Sequence, residues 1–400
     1  MASVGGYSLV RITPWYKSYQ RDYWERRISD NLGINVRFAG IEFPRPDHFR
    51  AHECVCVHPE TGVEILRMAR LDVAMDRSGW TVDLLKPELN GQRQQLQSTM
   101  QVIHDWFLCR PQKSASLLKL TVPELLVYDG PVSTKFQCVE VGFKPTENTS
   151  TLFLKFALDG QKFSEPASLR VERNHTMEPP KTTCVLVSNE IAIPCSLLAQ
   201  RFPSLYQLGG NATFQGTAIW SQSDVWAAEL SGKFASVDLS DLTAELGSPV
   251  RGLATLAINN ASIKNGTVDN ASGSITTIRS SLASHGASID TQWLRNSIQK
   301  LQLLVDDRVT TPTANLNYLT LDFSVNDRGL TMAGKSVLPD SKHKLIMRGD
   351  QLMVAGSALE TIPLDAIAAW LQPASGRNPI VADFLNGALP FPYKRVAARQ

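Results

Sequence analysis

The stretch from Leu32-Gly-Ile-Asn-Val36-Arg-Phe38 to Lys86-Pro-Glu-Leu89 decides the fold. Gly33 closes a helix that reads from Pro14 to about Leu32, and alternation begins at once. Ile34, Val36 and Phe38 are followed by Ile41 and Phe43, then by Val55 and Val57. Leu71, Val73 and Met75 come next, then Trp80, Val82 and Leu84. A spacing of two puts each set on one face of a strand. Turn chemistry separates the sets at Pro44–Asp47, Pro59–Gly62 and Asp76–Gly79. The pattern predicts short strands stacked behind one N-terminal helix.

Outward from there the same two periods recur. The first helix carries Trp15, Tyr16, Tyr19, Tyr23, Trp24 and Ile28, three and four apart, rimmed by Arg21, Glu25, Arg26 and Arg27. This reads as an apolar stripe on a polar helix, serving either to cap the open end of a sheet or to lie at a membrane interface. A second helix is predicted over Gly91–Leu108, with Leu96, Met100, Ile103 and Phe107 on one side, ended by Pro111. A third is predicted at Asp290–Val305 and a short fourth at Leu364–Leu371. The remainder alternates: Leu117–Val127, Leu152–Leu158 before Asp159-Gly160, the pair Phe214–Trp220 and Val225–Leu230, and the pair Lys344–Met347 and Leu352–Val354. Leu316–Val325 and Leu330–Val337 flank Asn326-Asp-Arg-Gly329, a hairpin signal. Strands outnumber helices and do not alternate with them, which argues against a parallel βαβ sheet. The expected fold is mainly β, an elongated antiparallel meander or curved half-open sheet with a few covering helices. Its parts are a membrane-proximal segment (1–32), an N-terminal β-meander (33–235) and a C-terminal β region (236–400).

Composition narrows the function classes. The 400 residues are 43% hydrophobic, enough for a large core, and the formal net charge is only +2, which leaves no nucleic-acid footprint. Six cysteines do not make a disulfide framework. No run of 18 apolar residues exists to span a bilayer. The uncharged start, Met1 to Val10, reads as a frayed terminus or as the tail of a membrane helix whose beginning lies outside this chain.

Motifs for chemistry fail on spacing. Gly329-Leu-Thr-Met-Ala-Gly334-Lys335-Ser336 matches a phosphate loop, but its residues alternate as a strand and Pro339 stands where a helix must start. His52, Cys54, Cys56 and His58 share one strand, yet the outer two are about 20 Å apart at strand rise, too far for one ion. Cys109, Cys138, Cys184 and Cys195 have no motif spacing. The seven histidines sit in loops or strands without a base–orienter partner, and no nucleophile elbow occurs. No catalytic residue, cofactor or metal is expected.

Pro14-Trp15, Leu32-Gly33-Ile34-Asn35-Val36, His58-Pro59-Glu60-Thr61-Gly62 and Ala69-Arg70-Leu71-Asp72-Val73 together resemble the AsmA-like family of bacterial envelope proteins, which includes the TamB-type translocation factors. A second stretch is similar to the family's C-terminal part: Leu230-Ser-Gly232, Val237-Asp-Leu239, Arg251-Gly252, Ile263–Gly266 and Gly273-Ser-Ile275. The chain departs from the family in lacking its membrane helix and in inserting Gly91–Leu108. The resemblance implies a protein on the periplasmic side of the inner membrane, with a long curved sheet whose apolar side shelters acyl chains. The expected function is therefore non-enzymatic lipid binding or transport, or outer-membrane assembly, with phospholipid or an envelope protein as partner. The alternative is an envelope scaffold that binds a protein by strand addition. The membrane-proximal residues would be Trp15, Tyr16, Tyr19, Tyr23 and Trp24.

Overall fold

A computed structural model describes residues 14–45, 47–75, 79–90, 101–109, 117–129, 132–199, 203–244, 250–264, 267–277, 287–290, 304–305, 313–316, 318–334, 344–348 and 351–355. The protein is mainly β, with open sheets and a few helices. Two compact units divide it, one up to Leu186 and one from Val187. The division falls well before the expected 235/236, because a strand and its core run straight across that point, as described below.

The first unit begins with helix α1 (Pro14–Leu32) and continues through β1 (Asn35–Arg37), β2 (Gly40–Arg45), β3 (His48–Val57), β4 (Glu64–Met75) and β5 (Gly79–Asn90). After a π-helical turn at His104–Leu108 come β6 (Leu117–Asp129), β7 (Val132–Pro145), β8 (Thr149–Leu158), β9 (Ala167–Asn174) and β10 (Lys181–Val187). β1 and β2 share one side of β3, and from β3 to β10 neighbours in sequence are neighbours in space. One step breaks the antiparallel rule expected from the strand count. β5 and β6 run parallel, Val82 beside Leu120 and Glu88 beside Leu126. Parallel neighbours need a crossover of a dozen or more residues, and residues 91–116, with the predicted helix in them, supply it. The sheet is therefore mixed.

Strand alternation is reset along a line that crosses five strands. Glu53 on β3, Lys86 on β5 and Cys138 on β7 are left-handed, with φ of 49°, 50° and 52°. The ladders skip these positions together: Glu53 and Ala69 between His52–Arg70 and Cys54–Met68, Ala69 and Lys86 between Met68–Pro87 and Arg70–Leu85, and Pro123 and Cys138 between Val122–Val139 and Glu124–Gln137. Buried residues change parity there: Phe49 and Ala51 give way to Cys54 and Cys56, Val73 and Leu71 to Met68, Leu84 to Pro87, and Val122 to Val127. A residue in the left-handed region does not advance the pleat by half a period, so the residues before and after it land on opposite sides and the buried set shifts by one. The same face thus stays apolar through the irregularity. Pro87 and Pro123 sit beside the line, where missing ladder donors are tolerated.

This reset corrects the reading of β3. His52 is half-exposed and on the side opposite Ala51, while Cys54, Cys56 and His58 are buried. Val55 and Val57, expected as the apolar set, are only half-buried.

The predicted helix Gly91–Leu108 is described only from residue 101. Leu96 and Met100 lie outside the described residues. Its last turn is π-helical: the Cys109 N–H donates to His104 O five residues back, at 2.9 Å. That extra residue rotates the face. Leu108 is fully buried, Phe107 packs edge-on against Phe143 at 5.1 Å, and Ile103 is half-buried.

The second unit starts with β11 (Ile193–Pro194), α2 (Cys195–Ala199) and a 3-10 turn (Pro203–Leu208). It continues with β12 (Thr213–Gln222), β13 (Trp226–Asp238), α3 (Leu239–Leu242), β14 (Arg251–Lys264) and β15 (Thr267–Thr277). Then follow β16 (Ala287–Asp290), β17 (Leu304–Val305), β18 (Thr313–Leu316), β19 (Tyr318–Asn326), β20 (Gly329–Gly334), β21 (Lys344–Arg348) and β22 (Gln351–Ala355). The antiparallel order is β11-β12-β13-β14-β15-β19-β20. Its core gathers Ile191, Ile193, Phe214, Phe234, Val237, Leu239 and Ala254, all buried. β13 and this core straddle 235/236, so no boundary can fall there.

Two of the later predictions meet the structure directly. Asp290 ends a strand and Leu304–Val305 form another, so both ends of the predicted helix 290–305 are extended; its middle, and Leu364–Leu371, lie outside the described residues. The Asn326–Gly329 hairpin forms as read, with Asn326 opposite Gly329 and the Arg328 N–H donating to Asn326 Oδ1 at 2.9 Å. Gly329–Gly334 of the phosphate-loop look-alike is the second arm of that hairpin, whereas Lys335 and Ser336 lie outside the described residues.

Candidate functional site

Helix α1 begins on Pro14, whose missing N–H costs nothing there, and ends on Gly33 at φ 68°, whose N–H reaches Ser29 O at 2.8 Å. Its inner side meets the sheet edge. The Trp24 ring lies 4.9 Å from Phe49 and 6.2 Å from Phe43. Glu25 Oε1 accepts the Phe38 N–H at 2.7 Å, and Ser29 Oγ accepts the Val36 N–H at 2.9 Å. With these two donors, Val36 in β1 and Phe38 just after it, taken by side chains of α1, the helix completes the edge.

The five aromatic residues expected on one stripe divide between two sides. Trp15, Tyr19 and Tyr23, four apart, are 72%, 58% and 46% exposed. Trp24 is one residue, about 100°, past Tyr23 and turns inward. Tyr16 is half-buried and its hydroxyl accepts from Gln20 Nε2 at 2.9 Å. The outer row is ordered: the Trp15 and Tyr19 rings stack at 6.2 Å, and Arg27 Nη1 donates to the Tyr23 hydroxyl at 3.1 Å. Beside this row, Tyr19, Tyr23, Asp22, Arg26, Arg27 and Asp30 line a shallow depression. The helix is not long and apolar enough to cross a membrane, and neither is any other helix among the described residues.

Among the described residues, His52, Cys54, Cys56 and His58 are not brought together as a cluster of donor atoms. Burial pushes the thiols of Cys54 and Cys56 up to about 12, so both stay protonated at neutral pH. His58 is a turn residue: its Nδ1 accepts the N–H groups of Glu60 and Thr61, each at 3.2 Å.

Several histidines do have side-chain partners, contrary to the sequence expectation: His48 Nδ1 lies 2.9 Å from Asp47 Oδ1 and His52 Nε2 3.5 Å from Glu42 Oε1, both part-exposed pairs, and two more are better enclosed. His175 Nε2 lies 3.1 Å from Ser150 Oγ, but Ser150 is fully buried and no substrate could reach it. His104, on the π-helical turn rather than in a loop or strand, has Asp105 Oδ1 at 2.9 Å from Nδ1 and Cys109 Sγ at 3.5 Å from both ring nitrogens. Gln101 Nε2 holds the other oxygen of Asp105 at 2.7 Å. Burial, assisted by the charge of Arg173, holds His104 below the ordinary imidazole range despite Asp105. The spacing of these residues matches no common motif; the only sequence signal was their presence at the end of one helix.

Comparison with protein-family models, with curated proteins and with solved structures returns no match. The AsmA-like resemblance stands on the sequence motifs alone.

Proposed function

We propose that this chain is a non-enzymatic cell-envelope protein, held at the periplasmic face of the inner membrane, that binds lipid along the apolar side of its β-sheet. The observation that carries the reading is the outer row of α1. Three large aromatic side chains stand in solvent on one face, with Arg26 and Arg27 beside them. Tyr and Trp have an apolar body and a polar tip, and they are most stable at headgroup depth. The arginines add attraction to anionic lipid, which Asp22 and Asp30 partly offset. Binding needs no reactive residue: each acyl methylene removed from water contributes about 0.8 kcal/mol.

The strand-addition alternative finds less support at β1. There Glu25 and Ser29 already occupy the donors that an added strand would use.

Flotation with liposomes of mixed zwitterionic and anionic phospholipid tests the docking part. Wild-type chain should float, and the triple variant Trp15→Ser, Tyr19→Ser, Tyr23→Ser should remain in the dense fraction with its fold intact. Mass spectrometry of an organic extract tests the lipid part, and should find co-purified phospholipid. Equal flotation of both chains would overturn the docking; a lipid-free extract would overturn the lipid reading.

A further inference from the structure

We propose that His104, Asp105 and Cys109 form a binding site for a divalent cation of the zinc class. The π-helical turn makes the site. On an α-helix, residues five apart stand about 140° from each other. Here the hydrogen bond from Cys109 N–H to His104 O closes the wider ring and brings the two side chains together. π-turns inside helices are frequent at functional sites for this reason.

The donor atoms fit one ion. An imidazole nitrogen, a carboxylate oxygen and a thiol sulfur all lie within 4.8 Å of one another. Tetrahedral zinc, with bonds near 2.0–2.3 Å, needs nitrogen and sulfur about 3.5 Å apart, and Cys109 Sγ is 3.5 Å from the His104 ring nitrogens. Nδ1 and Asp105 Oδ1, at 2.9 Å, now bracket a shared proton, which an ion would replace with a small opening of the pair. Three protein ligands leave the fourth position to water.

Chemistry favours a borderline-soft metal. A thiolate excludes magnesium and calcium, which prefer oxygen donors, whereas mixed nitrogen, oxygen and sulfur sets suit zinc. Thiolate and carboxylate together balance a divalent charge. Gln101 Nε2 on the outer oxygen orients Asp105 as an outer-shell partner does in metal sites. Arg173 opposes the cation, as it opposes a charged imidazole at His104. On binding, the Cys109 thiol gives its proton to solvent as the sulfur–metal bond forms. In the same step the ring proton of His104 passes through solvent from Nδ1 to Nε2, which frees the Nδ1 lone pair for the ion, and no electrons move.

The test uses the full chain, stripped by chelator and then given zinc or cobalt chloride. Wild-type protein should retain one zinc per chain after desalting and melt at a higher temperature with it. Cobalt should give a near-ultraviolet thiolate-to-metal absorption. Cys109→Ser should abolish that band, and His104→Gln should weaken zinc binding by more than the roughly 10–100-fold that loss of an outer-shell partner costs. Cys138→Ser, an exposed thiol on β7, should change nothing. The site is overturned if wild-type chain retains no zinc, if its cobalt form lacks the thiolate band, or if Cys109→Ser binds like wild type.

Discussion

Glu25 of the first helix accepts the backbone N–H of Phe38 at 2.7 Å, so a helix side chain does the work of a neighbouring strand. With Ser29 on Val36 it closes the edge of β1 that would otherwise template pairing with another chain. Glu25→Ala should lower stability by about 1–3 kcal/mol, the usual loss for a donor left without its charged acceptor. It should also raise the tendency to aggregate through strands. Urea titration with thioflavin fluorescence checks both, and unchanged behaviour would mean that the edge is protected by packing alone.

Glu53 is exposed and left-handed at φ 49°. An L-residue there costs about 1–2 kcal/mol, and a β-branched one more. Glu53→Val should therefore destabilise, by more than about 1–2 kcal/mol against Glu53→Gly, although neither change touches the core. The order of urea midpoints should be Gly above Glu above Val. A regular strand at this position would put Val first.

Leu108 is fully buried where an uninterrupted helix would have turned it aside. Leu108→Ala should cost about 2–5 kcal/mol, as large-to-small changes in cores do. Ile103→Ala, at a half-buried position, should cost less. Reversal of the two would show that the π-turn is absent in solution.

His104 and His175 are both held below the ordinary imidazole value, in each case chiefly by burial and then by Arg173. The unfolded chain therefore binds protons that the folded chain refuses. The contribution of these residues to stability is complete above the unfolded value, near pH 6.5, and falls as pH drops from there toward their folded values. Stability should decline between about pH 7 and pH 5, and His104→Gln should flatten that decline. A pH-independent melting temperature across the window would contradict the burial of both rings.

Local chemistry made part of this protein legible in advance. The Gly33 stop, the Asp159-Gly160 turn and the Asn326–Gly329 hairpin follow from neighbouring residues, because backbone preference at Gly, Asn and Asp is settled within a turn. The mainly β class followed from alternation for the same reason. Tertiary structure decided what depends on partners distant in sequence. The parallel join of β5 to β6 needs a crossover that carries no sign in either strand. The row from Glu53 to Cys138 exists because adjacent strands share one irregularity, although Lys86-Pro87 and Pro123 marked its course. The inward turn of Trp24 was set by Phe49, and the meeting of His104 with Cys109 by one extra residue in a helical turn. Period and turn are written in the chain locally; register, facing and the company of each side chain are written only in the packed fold.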